Sequence, residues 1–203
     1  MVAVEKRVWT PEEYLAYERA SQERHELING EIRLMSSASE EYVTIVINTA
    51  SSLHSQLRKR PCKTYASDLR VKLKGNASYS YPDVIVVCGE RILEDDKFDT
   101  LLNPTVIFEV LSPSTEVYDR GRKFEFYRAL ESLQEYVLIA QDRPHVEHYR
   151  RADDEWILQD FDSLESTLTL ASIECALTLA DIYEKVDFSD PPPPFSIQSE
   201  TPE

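Results

Sequence analysis

Tyr81-Pro82-Asp83-Val84-Ile85-Val86-Val87-Cys88 and Thr105-Val106-Ile107-Phe108-Glu109-Val110-Leu111 are the stretches that decide the architecture. Each carries a near-continuous apolar run, Val84–Val87 in the first and Val106–Phe108 in the second. Runs without alternation mark strands buried on both faces, inside a sheet that helices cover. Each stretch also carries one carboxylate. Asp83 opens the first strand and Glu109 lies inside the second. A carboxylate in a buried strand is costly unless it is paired, hydrogen-bonded or bound to a metal.

Outward from these strands, the elements fall into a regular order. Upstream, a helix is expected over roughly Glu40–Lys59, where Val43, Val46, Ile47, Ala50, Leu53 and Leu57 recur at helical spacing. A strand candidate, Lys63–Lys74, follows it. Downstream, Ser114 or Thr115 caps a helix over about residues 116–130, and Tyr136–Ala140 reads as a short buried strand. The order helix, three strands, helix, strand predicts an α/β fold built on a mixed sheet.

Further out, Thr10-Pro11-Glu12-Glu13 has the form of a capping box with proline at the first helical position, so a first helix should run to about Ala20. Asn29-Gly30 between His25–Ile28 and Glu31–Met35 signals a hairpin. A second hairpin, Val146–Arg150 with Trp156–Phe161, and a short helix over Thr178–Glu184 complete the C-terminal part. From Ser189 four consecutive prolines and polar residues predict a disordered acidic tail, 189–203, leaving one domain over 1–188.

The chain has 203 residues and a net charge of −15, which at first argues against a nucleic-acid binder. The charge is unevenly spread. Residues 152–203 hold 13 acids and one base, Lys185, whereas residues 1–151 hold 24 acids and 21 bases. Within the body, seven cations (Arg58, Lys59, Arg60, Lys63, Arg70, Lys72, Lys74) face one anion, Asp68, between His54 and Lys74. That stretch reads either as a solvated helix end and strand or as a local phosphate-binding surface. Cys62, Cys88 and Cys175 are odd in number and far apart, which argues against a disulfide framework and fits a reducing cytoplasm. The residues Met1–Trp9 do not read as a signal peptide, and no segment reaches the ~18 consecutive apolar residues of a membrane span.

Two buried acids at corresponding places on successive strands point to a shared cation. Carboxylate oxygens suit Mg²⁺, with waters and substrate phosphate completing the octahedron. The alternative is a strand-end Asp and a Glu that pairs with a cation from a helix. Asp119-Arg120-Gly121-Arg122-Lys123 supplies one, because a helix that follows a strand folds back across the sheet. Lys123 can approach Glu109, pair with Asp119 at i, i+4, or do both. His145 and His148, three apart on a predicted strand, offer no competing metal site. Ser112, Ser114 and Thr115 read as turn and cap residues, and Trp156 with Phe161 as sheet core or a dimer contact.

At these residues the chain resembles the PD-(D/E)xK nuclease superfamily and, within it, the Uma-two family of restriction-endonuclease-like proteins. The segments that carry the resemblance are His25–Glu31, Ser67–Val71, Pro82-Asp83-Val84 and Glu109–Thr115, continuing with Asp119, Lys123 and Tyr127. They span about residues 10–185. The resemblance implies a restriction-endonuclease-like core and a metal-dependent endonuclease that hydrolyses DNA phosphodiesters. It implies Asp83 and Glu109 as ligands of Mg²⁺ (or Mn²⁺), with the Val110 carbonyl as a further oxygen, and Asp83, Glu109 and Lys123 as the catalytic set. The motif lysine normally stands two residues after the Glu, where this chain has Leu111, and Lys123 arriving from the helix would replace it. The family often has a histidine near the start of the second helix, where this chain has Tyr42. Glu26, Glu41 and Asp68 are further acids that could join the site. DNA is the expected partner, with a homodimer as the expected assembly. Leu111 and Tyr42 keep open a non-catalytic DNA-binding or interaction module on the same fold. A dimeric structural protein with a buried Glu109–Lys123 pair is the third reading.

Deleting residues 189–203 removes only Asp190, Glu200 and Glu203, so DNA affinity should change little. Fluorescence anisotropy with a labelled oligonucleotide measures this. A large gain on deletion would show that the acidity acts through the tail.

Overall fold

A computed structural model describes residues 7–35, 38–73, 78–97 and 99–188 of the chain. Lys74 and the segment from Ser189, expected to be disordered, lie outside the described residues. Helix α1 (Pro11–Ala20) begins with the expected capping box: Thr10 Oγ1 accepts the Glu13 N–H at 3.2 Å, and the Glu13 carboxylate accepts the Thr10 N–H at 3.0 Å. The hairpin β1 (His25–Ile28) and β2 (Glu31–Leu34) turns through Asn29 (φ 51°) and Gly30 (φ 82°), both left-handed as a tight primed turn requires. A side chain at Gly30 would also strike Val8 Cγ1 at 2.5 Å.

Helix α2 (Glu40–Leu57) is capped by Ser39. Strands β3 (Cys62–Ala66), β4 (Arg70–Leu73), β5 (Ser78–Ser80), β6 (Val84–Cys88), β7 (Thr100–Leu101) and β8 (Val106–Leu111) follow. The next helical segment has three parts: α3 (Glu116–Tyr118), a π-helical turn (Asp119–Lys123) and α4 (Phe124–Tyr127). The chain continues through β9 (Glu135–Ala140), β10 (Val146–Ala152), β11 (Glu155–Phe161), β12 (Thr167–Leu170) and β13 (Cys175–Thr178) to α5 (Leu179–Ile182).

The main sheet has six strands in the order β11-β10-β9-β8-β6-β3, parallel at β8/β9 and antiparallel elsewhere. A second sheet of five strands runs β2-β1-β5-β4-β7. Strand periodicity divides the core in two. Val84, Val86, Val106, Phe108, Val137 and Ile139 pack under α2, α5 and the β12–β13 hairpin. Ile85, Val87, Ile107, Leu111, Tyr136 and Leu138 face the opposite way, against Phe126 and Tyr127 of α4 and Val71, Leu73 and Leu101 of the second sheet. Both faces are therefore buried, as the unbroken apolar runs require. Asp83 and Glu109, at odd positions, fall on the side of the second sheet and α4.

Three expectations are corrected. The stretch expected as one strand, Lys63–Lys74, is β3 and β4, which belong to different sheets. The chain breaks between them at Ser67, whose φ of 64° turns it out of the main sheet. Val43 and Ile47 were expected inside but are 54% and 58% exposed; the buried stripe is Ile45, Val46, Thr49, Leu53 and Leu57. Both sets recur at helical spacing; the observed stripe is rotated around the helix and turns one threonine inward. The cysteine number and spacing argue against a disulfide framework, yet one disulfide forms. Cys62 and Cys88 stand directly opposite on β3 and β6 and are disulfide-bonded, while Cys175 is free and buried. The bond removes the thiol argument for a reducing compartment. No helix among the described residues is long and apolar enough to cross a membrane.

Leu53→Ala should cost about 2–5 kcal/mol, the scale of a buried leucine truncation, whereas Val43→Ala should cost no more than about 0.5 kcal/mol. Urea unfolding of both variants checks which face of α2 is buried.

Candidate active site

Sheet register brings the first two acids together. Val84 pairs with Phe108 across the antiparallel β6/β8 ladder, so the register continues to Asp83 opposite Glu109. Opposed residues of an antiparallel pair point to the same face. Both are deeply buried, at 6% and 3% exposure. Asp83 Oδ2 accepts the Val110 N–H at 2.6 Å, and its Oδ1 accepts the Tyr42 hydroxyl from the first turn of α2. Glu109 Oε1 accepts from Lys123 Nζ at 2.9 Å and from the Tyr127 hydroxyl at 2.8 Å.

Lys123 reaches Glu109 from the π-helical turn. Its ammonium also lies 3.4 Å from Glu26 Oε1 and 3.6 Å from Asp119 Oδ1. Such a turn widens a helix locally and is frequent at functional sites; here Asp119 and Lys123 are both turned inward and buried. Glu26 arrives from β1. Its Oε1 is held by Ser80 Oγ at 2.5 Å and by the Tyr81 N–H at 3.2 Å. Ser80 Oγ in turn meets the Tyr127 hydroxyl at 2.9 Å.

These groups form the floor of a cavity of about 740 Å³. The β1–β2 hairpin supplies one wall through Arg24, Glu26 and Arg33, and Ser112–Thr115 with Tyr118 supplies another. Ser112 Oγ lies 3.0 Å from both Ser114 Oγ and Thr115 Oγ1, as in a turn; the cap expected from Ser114 or Thr115 does not form, because Thr115 stands at the N-cap of α3 without a side-chain capping hydrogen bond.

Of the acids whose place the sequence left open, Glu26 joins the cluster. Asp68 stands exposed at the cavity, paired with Arg24 at 3.2 Å, and Glu41 does not line it. Leu111 packs in the apolar core on the side of α4. None of the described cations of the basic stretch lines the cavity. Arg60 serves the Ile173 and Glu174 carbonyls, Arg70 is buried on Asp99, and Lys72 lies 2.5 Å from Glu94. The cavity's arginines, Arg24 and Arg33, were missed. Their signal was the hairpin itself: Glu26 pairs with Arg33 across β1/β2, so once Glu26 faces the site, Arg33 does too.

The Uma2 family, described as "Putative restriction endonuclease", matches residues 11–180. The chain belongs to this family. Two uncharacterized proteins of Synechocystis sp. are similar over most of their length. Protein slr1290 is 33% identical over 180 residues (88% of this chain, 93% of the relative), and sll1609 is 36% identical over 161 residues (79% and 91%). A crystal structure from Anabaena variabilis, of a "putative nuclease belonging to DUF820", superposes with a TM-score of 0.72 at 20% identity, covering 86% of this chain and 97% of that one. At that identity the likeness establishes the restriction-endonuclease-like fold.

Electrostatics give this Uma2 site its character. Burial pushes the Asp83 carboxyl up to about 6, although Lys123, the Tyr42 hydroxyl and the Val110 N–H all favour its charged form. Burial raises Glu109 well above the usual carboxylate range; Lys123 opposes this, and the charges of Asp83 and Asp119 add to it. Asp119 is raised by burial as well. Burial works against the Lys123 ammonium, yet Glu109 and Glu26 outweigh it and hold its pKa well above normal. Four carboxyl groups thus crowd one ammonium, and the upward shifts of Asp83, Glu109 and Asp119 are the response to burial and that crowding; an oxygen-ligated divalent cation would favour their charged forms, so the donor set fits one. Among the described residues no three His, Cys, Asp or Glu side chains form a ready-made cage. A cation held by one or two carboxylates and completed by water and phosphate needs none.

A raised carboxyl pKa has a definite sign in stability. The folded protein binds the Asp83 proton more tightly than the unfolded chain, so stability falls as pH rises from 3.8 through about 6. In EDTA at pH 7.5, Asp83→Asn should therefore stabilise the protein by of the order of 1–3 kcal/mol, and the gain should vanish near pH 4. Thermal denaturation at the two pH values checks it.

Proposed function

We propose that this Uma2 protein is a metal-dependent endonuclease that hydrolyses DNA phosphodiester bonds. The observation that carries the reading is Asp83 facing Glu109 across β6/β8 with the Lys123 ammonium 2.9 Å from Glu109. Asp83 and Glu109 would hold Mg²⁺, or Mn²⁺ in its place. When bound, the ion supplies Lewis-acid charge that makes a water easier to deprotonate and offsets charge on the phosphate.

The remaining work falls to side chains already in place. Tyr42 and the Val110 N–H fix the Asp83 carboxylate from two directions, and Tyr127 fixes Glu109. Lys123, held by Glu26 and Asp119, can orient the attacking water and stabilise the negative charge that develops on the phosphate. It does this without the motif position at Leu111, because the π-helical turn delivers the ammonium through space. The burial of Asp83, Glu109 and Lys123 excludes bulk water and strengthens each of these interactions. Cutting both strands of a duplex would be served by two such subunits acting as a pair.

A second reading is favoured by one observation. Both Asp83 oxygens already accept hydrogen bonds within the protein, which suits a non-catalytic DNA-binding module. Cleavage of plasmid and oligonucleotide DNA with Mg²⁺ or Mn²⁺ separates the two. Asp83→Ala and Glu109→Ala should each lower the rate by at least ~100-fold, the scale of losing a preorganised transition-state charge. Cleavage that persists unchanged in both variants would sink the site assignment. Absence of divalent-ion binding by calorimetry, together with DNA affinity that survives Asp83→Ala, would favour the binding module.

A further inference from the structure

The cavity is lined by five acids (Glu26, Asp68, Asp83, Glu109 and Asp119) and three cations (Arg24, Arg33 and Lys123). An anionic strand entering such a cleft is repelled unless cations meet it. Lys123 is already shared among Glu109, Glu26 and Asp119, and Arg24 is paired with Asp68. Arg33 differs. It is exposed, and among the described residues no carboxylate lies within ion-pair distance of it. Its guanidinium instead sits over the Tyr118 ring, 5.0 Å from the centroid. Stacking of that kind restrains the plane of the guanidinium and leaves its N–H edges open for a bidentate acceptor.

Tyr118 adds a second, independent observation. Its hydroxyl oxygen is buried and has no hydrogen-bond partner among the described residues. Buried hydroxyls are nearly always satisfied, so an orphan beside a cavity marks a place for a ligand or water. Burial and the nearby Glu26 charge push this phenol up to about 12, so it stays protonated and available as a donor. Arg33 and Tyr118 come from different elements, β2 and α3, yet line the same cavity as Asp83 and Glu109. The basic stretch at 54–74, the obvious phosphate surface by composition, contributes no described cation there.

We propose that Arg33, backed by Tyr118 and flanked by Arg24, is the phosphate grip of the cleft. It takes the backbone phosphate next to the one positioned at Asp83 and Glu109. This rests on the nuclease reading for the identity of the polyanion. The role is binding and positioning of a nucleic-acid strand, with Arg33 acting on a phosphate that does not react.

The test measures oligonucleotide binding by anisotropy and cleavage by steady-state kinetics, each over a range of salt. Arg33→Ala should weaken binding and raise KM about 10-fold with kcat changed less than about 3-fold, as for loss of a charge-assisted contact to a non-reacting group. The slope of log K against log salt should shrink by about 0.7–0.9, one phosphate contact. Arg33→Lys should restore the slope and only part of the affinity, because the charge returns without the fork. A single neutral methylphosphonate linkage, walked along the strand, should find one position where Arg33→Ala has no further effect. Arg58→Ala and Lys63→Ala, outside the cavity, should leave all of this unchanged.

The outcomes are distinct. Cleavage with a normal KM and salt slope in Arg33→Ala overturns the grip and leaves the nuclease reading standing. Arg33-dependent, salt-sensitive binding without any cleavage supports the grip and removes the nuclease. Competition by inorganic phosphate or a mononucleotide as strong as that by an oligonucleotide would show a small-anion site and overturn the strand assignment. Failure of the wild type to bind any oligonucleotide overturns it too.

Discussion

Lys123 carries its ammonium into a space already held by Glu109, Glu26 and Asp119, with Asp83 close behind. A buried charge of either sign is expensive, and removing one partner from such a group leaves the others uncompensated. The arrangement therefore ties together elements that are distant in sequence: β1, the residue before β6, β8 and the π-helical turn. Each must be correctly placed or a charge is stranded. Asp119 and Lys123, one turn apart at i, i+4, both face inward from the π-helical turn and are buried. The crowding of buried carboxyl groups around one ammonium is what the proposed cation would relieve.

The wall that carries Glu26 and Arg33 is held in place by a second polar network. Glu18 of α1 accepts the Tyr81 hydroxyl at 3.0 Å and the His25 N–H at 3.1 Å, and its other oxygen meets His25 Nδ1 at 3.0 Å. Arg70 reaches the same Tyr81 hydroxyl at 3.1 Å and bridges to Asp99, which Arg19 of α1 also grips at 2.8 Å. The Arg19 and Arg70 guanidinium groups hold the Asp99 carboxyl well below its ordinary range. Helix α1, the hairpin and the second sheet are thereby locked together around residues 25–34. The floor of the cleft depends on one charge cluster and its wall on another, with Tyr81 touching both through its backbone and its hydroxyl.

What could be read in the sequence was what short-range physics decides. The Thr10 capping box, the Asn29-Gly30 turn and the doubly buried runs around Val84 and Val106 are local patterns, and they formed as expected. Asp83 and Glu109 stood out because a carboxylate in such a run needs a partner. What depended on sheet-to-sheet register was not readable. The break at Ser67 sends β3 and β4 to different sheets, and the opposition of Cys62 to Cys88 appears only once β3 lies beside β6. The inner face of α2 was misjudged because Val43 and Ile47 are apolar while Thr49 is not; the geometry of the sheet below, rather than polarity, chose the stripe. Arg33 was overlooked for a different reason: the hairpin register was legible, but which way its Glu26 face points was not. Only its pairing with Glu26 shows which way it points.

The net charge of −15 takes on a different meaning once the acids are placed. Nucleic-acid binders ordinarily gather cations over a broad face, and the cations that composition gathers here, Arg60, Arg70 and Lys72, are spent on structure. What remains at the cleft is a concentrated anionic floor with few open cations at its rim. Such a surface should repel a phosphate backbone until a divalent ion enters, and the same floor should hold that ion more tightly once phosphate oxygens complete its shell. Thermodynamic linkage makes the two effects equal: whatever factor the ion adds to the affinity for the strand, the strand adds to the affinity for the ion. With the proposed ion, an acidic chain with this site would discriminate against indiscriminate polyanion binding by making engagement conditional on that ion.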